Sequence, residues 1–386
     1  TTECCDSSLP VAVIGAGPIG LATAAHLQAR NLPFFVLEAG DLAENVRSWS
    51  HVTLFSPWQY NIDLAAKVLL EKVGWVAPAD EVIPTGKELI EYYLEPLAAI
   101  FKEKIYSNHR VIAMTREETD RMKSTNRANS PFQLYVETTH GIKVMKAGAI
   151  IDATGTWGNP NPVLSNGLWL KSERDLGDFI DYHIPNVEQN KEIYADKKIA
   201  VVGGGHSAIN SLLQLAELKI EFPHTKIIWV LRKQRVEDAF GGGSNDELAA
   251  RGELGLRIAE LVKNGTIDVI TPFRIQSISK NEQGIHLKAS TGKIEGLDRL
   301  IVNTGNRPDF QMNSELRYEV ETITEAVPAL APLIDPNEHS CGSVTAHGEK
   351  ELRQPEPNFY IVGSKSYGRA PTFLMATGYE QIRSVV

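Results

Sequence analysis

The sequence predicts an α/β chain made of two copies of one βαβ design, the second inserted into the first. Three observations predict it. Strand-length apolar runs alternate with helical patterns along most of the 386 residues. The succession strand, glycine turn, helix, strand occurs once from Leu9 and again from Lys198. After the second copy the chain looks too short for a further domain, so it is expected to return and complete the first. The expected domains are 1–160 with 303–386, and the insertion 161–302.

The elements follow in order. Leu9–Ile14 reads as a strand, Ile19–Arg30 as an Ala- and Leu-rich helix, and Phe34–Leu37 as the strand that closes the first βαβ unit. Asp41–Trp58 reads as a long irregular loop. Lys87–Phe101 is an amphipathic helix whose start signal is Pro84-Thr85-Gly86. Arg116–Pro131 is polar and reads as a surface excursion between strands. Gln133–Glu137 and Lys143–Ala147 form a hairpin around His140-Gly141, and Ala149–Asp152 is a buried strand. Thr156–Val163, with Gly158, Pro160 and Pro162, is the linker. The pattern then restarts with strand Lys198–Val202, helix Ser207–Leu218, strand Lys226–Leu231 and, later, strand Leu300–Val302.

Composition narrows the function classes. The net charge of -9 argues against a nucleic-acid binder, which needs a basic surface. No apolar run approaches the roughly 20 residues of a membrane span, and Thr1–Pro10 lacks the pattern of a secretory leader. Only Cys4, Cys5 and Cys341 are present, so no disulfide framework is expected and a cytoplasmic location fits.

Gly15, Gly17 and Gly20 spell G-x-G-x-x-G between the first strand and its helix. Gly15 permits the tight turn, Gly17 lets the backbone approach a pyrophosphate, and Gly20 lets helix and strand pack closely. The helix N-terminus, at Pro18, offers free N–H groups and a positive dipole. Glu38, 18 positions after Gly20, can accept hydrogen bonds from ribose hydroxyls and would repel a 2′-phosphate. Gly203, Gly205 and Ala208 repeat the motif as G-x-G-x-x-A, with His206 and Ser207 opening the helix. Here the next strand ends in Arg232 and Lys233. They are either cations for the 2′-phosphate of NADPH or ordinary solvated charges. His206 either contacts phosphate or caps the helix. Two Rossmann-like dinucleotide-binding domains in one chain fit a flavoprotein reduced by a nicotinamide, because one cofactor must feed the other.

With both motifs read, the chain resembles the flavin-containing monooxygenase and thioredoxin-reductase-like superfamily over almost its full length. The resemblance rests on Gly15-Ala16-Gly17-Pro18-Ile19-Gly20, Glu38, Asp152-Ala153-Thr154-Gly155, Gly203-Gly204-Gly205-His206-Ser207-Ala208, Asn303-Thr304-Gly305 and Asn358-Phe359-Tyr360-Ile361-Val362-Gly363. It implies an FAD domain with the NAD(P)H domain inserted into it. The turns at Thr154-Gly155 and Thr304-Gly305 then mark the crossings between them. Gly363 and the helix including Thr372–Ile382 lie beside the flavin ring. Trp49 either covers that ring or packs in the core. The resemblance has gaps. Ser364 stands where many of these reductases carry Asp. The fingerprint F-x-G-x-x-x-H is absent, the nearest stretch being Asp181-Tyr182-His183-Ile184-Pro185, and so are the paired glycines after the ribose acid. No C-x-x-C is present, so a redox disulfide at the flavin is not expected.

The expected cofactors are FAD and NADPH, with NADH as the variant. The expected reaction is monooxygenase-like: NADPH reduces FAD, and O2 oxygenates a small soft nucleophile. One alternative is an NAD(P)H:acceptor reductase. Another is a metalloid-binding flavoprotein using Cys4, Cys5 and Cys341, which otherwise are three unrelated thiols. Gly241-Gly242-Gly243 is either a lid or a plain loop, and Tyr367 and Arg369 either face the active site or serve packing and surface. No residue qualifies as the catalytic acid or base, and the oligomeric state is not legible.

Overall fold

The computed structural model describes residues 9–240, 249–335 and 347–386. The chain divides into two compact units, Thr1–Asn159 with Arg307–Val386, and Pro160–Asn306. Asn303–Asn306 stay with the second unit. Asn161 Nδ2 donates to Thr304 O at 3.0 Å, and Asn161 N donates to Gly305 O at 2.9 Å.

The first unit is built on a five-stranded parallel sheet. Its order is Phe359–Ile361, Ala149–Asp152, Val11–Ile14, Phe34–Leu37, Ile105–Tyr106. The central strands are apolar at every position but Asp152, because both sheet faces are covered. Ala12 and Ile14 join one core cluster, and Val13 joins the other. The helix Pro18–Ala29 packs on the second cluster. An antiparallel three-stranded sheet, Arg110–Arg116, Phe132–Thr138 and Gly141–Ala147, is inserted before Ala149–Asp152.

The second unit repeats this plan. Its parallel sheet runs Asp268–Ile270, Lys226–Val230, Lys198–Val202, Arg299–Val302, Ile180–Asp181. The helix His206–Glu221 follows its first glycine turn. A second antiparallel insert, Ser277–Asn281, Gly284–Ala289 and Gly292–Leu297, precedes Arg299–Val302.

Three segments depart from the sequence expectation. The loop after Phe34–Leu37 contains a helical turn, Glu44–Ser48. The expected helix Lys87–Phe101 is three joined pieces: Gly86–Leu89, a π segment Ile90–Leu94, and Glu95–Ile100. Pro96 lacks the N–H that would reach the carbonyl of Tyr92, and Trp75 Nε1 donates to that carbonyl instead at 2.8 Å. The polar excursion after Arg116 is not wholly surface. Arg116 and Arg127 are buried on the carboxylate of Glu356, at 2.9 Å and 2.7 Å.

Candidate functional site

In the first unit the carboxyl ends of the strands open into a cleft of about 1090 Å³, the edge where open α/β sheets bind ligands. Gly15, Gly17, Pro18, Glu38, Trp49, Thr154, Gly155 and Gly363 all line it. Gly20 does not, because its work is packing: a Cβ there would lie 1.8 Å from the carbonyl oxygen of Gly15. Gly15 has φ +100, and its added Cβ would meet Ala153 O at 2.7 Å. Gly17 differs. It is the N-cap of Pro18–Ala29, it provides no side-chain cap, and the first turn carries no acid. A Cβ on Gly17 meets nothing within 4 Å. The helix N-terminus therefore faces open cleft space with no acid in its own first turn, which suits a diphosphate.

Glu38 lines the cleft and does more than the sequence reading assigned. Its Oε2 accepts from Ala16 N at 2.7 Å and its Oε1 from Gly40 N at 3.1 Å. The acid thus fixes the glycine turn as well as standing where a ribose would bind. Trp49 is half-buried, tilted against Trp157 at 6.3 Å between ring centroids, and both rings line the cleft. Trp157 is anchored by its Nε1 donating to Ser48 Oγ at 2.7 Å.

The C-terminal wall is a locked turn. Gly363, at φ +67, donates its N–H to Gln381 Oε1 at 2.8 Å. Gln381 Nε2 donates to Ser366 Oγ at 2.9 Å, and Ser366 Oγ donates to Gly363 O at 2.7 Å. The helix it holds is Met375–Val385, so Thr372 lies before the helix, not in it as expected. Pro371 is compatible with a helix that starts only after it. Phe373 and Met375 line the cleft. Sequence reasoning missed Lys365, which also lines the cleft and pairs with Asp152 at 2.7 Å. Its signal was a lysine in the turn Gly363–Tyr367, directly after the apolar strand Phe359–Ile361.

The second unit carries the other glycine turn. Gly203 has φ +140, and an added Cβ would lie 2.1 Å from Asn303 O and 3.5 Å from Ala208 Cβ. Ala208 is fully buried, so the third motif position packs helix on strand. Gly205 caps His206–Glu221 without a side chain, and no acid stands in the first turn. Trp229 Nε1 donates to Gly203 O at 2.7 Å, tying the turn to the next strand. The buried Asn303 Nδ2 beside this turn has no hydrogen-bond partner, a donor that a bound ligand can satisfy. His206 and Ser207 open the helix, His206 partly buried and Ser207 exposed. Arg232 and Lys233 are both exposed at the end of Lys226–Val230. Lys233 Nζ donates to Asp238 O, and its stem crosses Gly204. Thr304 and Gly305 face the linker: Thr304 Oγ1 lies 3.4 Å from Asn161 O and 3.3 Å from Pro162 O.

In the stretch nearest to the missing monooxygenase fingerprint, burial pushes the imidazole of His183 down to about 4. Cys4, Cys5, Cys341 and Gly241–Gly243 lie outside the described residues. Among those residues no cluster of His, Cys, Asp and Glu fit for a metal occurs, and no helix is long and apolar enough to cross a membrane.

Comparison with known proteins agrees with this geometry. Residues 12–340 match the model of the pyridine nucleotide-disulphide oxidoreductase family. The chain belongs to that family and is, by class, a flavin-dependent, pyridine-nucleotide-using oxidoreductase of the FAD/NAD(P)-binding superfamily. It is 25% identical over 321 residues to ferredoxin–NADP reductase 1 of Bacillus pumilus, covering 79% of this chain and 72% of that one. Its fold matches bacillithiol disulfide reductase from Bacillus cereus with TM-score 0.71 at 17% identity, over 98% and 97% of the two chains. It also matches an FAD-bound cadaverine monooxygenase from Erwinia amylovora with TM-score 0.66 at 14% identity, over 98% and 94%.

Proposed function

We propose that the first unit holds FAD, that the second holds NADPH, and that the chain works as a monooxygenase-like oxidoreductase on a small soft nucleophile. One observation carries the reading: two separately built glycine turns, each at the carboxyl edge of its own parallel sheet and each facing an uncapped, acid-free helix N-terminus. FAD supplies the chemistry, accepting a hydride from the nicotinamide and passing electrons on.

The chain's own residues bind and orient. The turn Gly15–Gly20 and the helix behind it take the FAD diphosphate, and Glu38 takes the adenosine ribose. Trp49 and Trp157 cover one side of the cleft and keep water from it. Thr154, Gly155 and Gly363 line the same cleft. In the second unit Gly203, Gly205, His206, Ser207 and Ala208 form the diphosphate turn. Leu231 stands in register where Glu38 stands in the first unit, so no acid is there, and Arg232 and Lys233 follow it directly, which favours NADPH over NADH.

Flavin held there would pass its electrons to an acceptor other than a C-x-x-C dithiol of this chain, which the sequence lacks. Oxygenation predicts that NADPH oxidation and O2 consumption keep step, with an oxygen atom from O2 appearing in a sulfide or amine substrate. A second reading, an NAD(P)H:acceptor reductase, is favoured by the ferredoxin–NADP reductase relatives. Rapid reduction of dyes or quinones with no oxygen atom transferred to any nucleophile tested would decide for it and against oxygenation.

A further inference from the structure

We propose that Lys365, held by Asp152, is a positioning residue that raises the electron affinity of the flavin bound in the first unit. The inference rests on the flavin reading above and goes beyond it, to the residue that tunes the cofactor. Lys365 is 1% exposed and Asp152 0%. Lys365 Nζ donates to Asp152 Oδ2 at 2.7 Å and to Thr154 Oγ1 at 3.1 Å. Thr154 Oγ1 in turn donates to Asp152 Oδ1 at 2.7 Å, and Asn313 Nδ2 donates to Asp152 Oδ2 at 3.5 Å. The carboxylate is thus held from three sides and fixes the ammonium in one place.

The pair has a direction. Lys365 and Thr154 line the cleft and Asp152 does not, so the lysine is the member of the pair on the cleft side. It stands at the carboxyl edge of the sheet. Asp152 ends its strand in register with Ile14 and Ile361. Lys365 lies two residues after Gly363, in the wall that also carries Phe373 and Met375 at the start of the C-terminal helix. A buried ion pair does not stabilise a fold over a well-packed apolar pair of similar volume. Its effect here is to fix a positive charge in the wall of the cleft. A hydride carries two electrons, so its transfer from the nicotinamide leaves the flavin one negative charge richer until solvent supplies a proton. A fixed ammonium end in a low-dielectric wall favours that state.

The test is a reductive titration of the FAD-loaded protein against a reference dye of known potential. With Lys365→Met the ratio of reduced to oxidised flavin at a given poise falls at least tenfold, about 30 mV for a two-electron couple. Lys365→Arg keeps most of the native potential. Removing the lysine alone leaves Asp152 buried and unpaired, so the double variant Lys365→Met/Asp152→Asn is titrated as well. It removes the whole pair without stranding a charge, and it shifts in the same direction by less. Thermal unfolding of the cofactor-free proteins reports the fold separately. FAD-loaded single or double variants with wild-type potential overturn this inference alone. A wild-type protein that takes up no FAD overturns the flavin reading, and this inference with it.

Discussion

Gly17, the second glycine of the first turn, and Gly203, the first glycine of the second, are glycine for different reasons, and substitution separates them. At Gly17 the backbone is ordinary, φ -83, and an added Cβ touches no protein atom. Gly17→Ala therefore leaves the unfolding free energy within about 0.5 kcal/mol of native. It should lower FAD affinity by tenfold or more, because the methyl group occupies the space of the diphosphate. Equilibrium dialysis of FAD together with a urea melt checks both halves. At Gly203 the positive φ and the 2.1 Å approach to Asn303 O make any side chain a distortion of the turn itself. Gly203→Ala is expected to weaken NADPH binding at least tenfold while the flavin spectrum stays native. At Arg232 and Lys233, replacing both by Ser is expected to reduce the preference for NADPH over NADH by about 10–100-fold, or 1.4–2.7 kcal/mol, read as the ratio of kcat/KM values. An unchanged ratio would make both residues plain solvated charges.

Elements were legible where one local rule decided them. The strands Phe34–Leu37, Ala149–Asp152 and Lys198–Val202 came from uninterrupted apolar runs, and both glycine turns from their spacing. What stayed hidden depends on partners distant in sequence. Pro96 announced an interruption, but nothing local shows that Trp75 satisfies the freed carbonyl of Tyr92. Arg116 and Arg127 read as surface charges because Glu356 lies about 230–240 residues away. Lys365 could be seen, but its partner Asp152 lay in another motif. Burial alone would raise the carboxyl of Glu356. The hydrogen bonds from Arg127, the Arg317 N–H and Arg116 outweigh that and hold it below the usual range. Glu356→Gln strands two buried guanidinium groups and is expected to cost about 3–5 kcal/mol. It would also loosen the excursion 117–131 from the loop at Glu315–Arg317, which Arg127 Nη2 joins through Glu315 O at 2.9 Å. A urea midpoint close to wild type would show that the two arginines find other partners.

At the scale of the whole molecule, burial lowers the imidazoles of His183 in one unit, to about 4, and of His347 in the other. Both are neutral in the fold, whereas in the unfolded chain each takes a proton near pH 6.5. Below that pH the unfolded chain binds more protons than the folded one, so stability is full above it and declines as the pH falls toward the folded values. For His183 the loss between pH 7 and pH 5 is about 1–2 kcal/mol, the lower figure allowing for its partial exposure. His183→Gln is expected to flatten this acid limb in pH-dependent melts, and an unchanged slope would assign the limb to other groups. The molecule as a whole is two copies of one sheet-and-turn design, with an acid, Glu38, directly after the second strand of the first and Leu231 followed by two cations after that of the second. That pairing is why two different dinucleotides are assigned to one chain. The most direct measurement is the absorption spectrum of the purified protein, before and after anaerobic NADPH or NADH. Yellow protein that releases FAD on denaturation, and that NADPH bleaches faster than NADH, is the expected result. Colourless protein that takes up no FAD when offered it would contradict the assignment at its root.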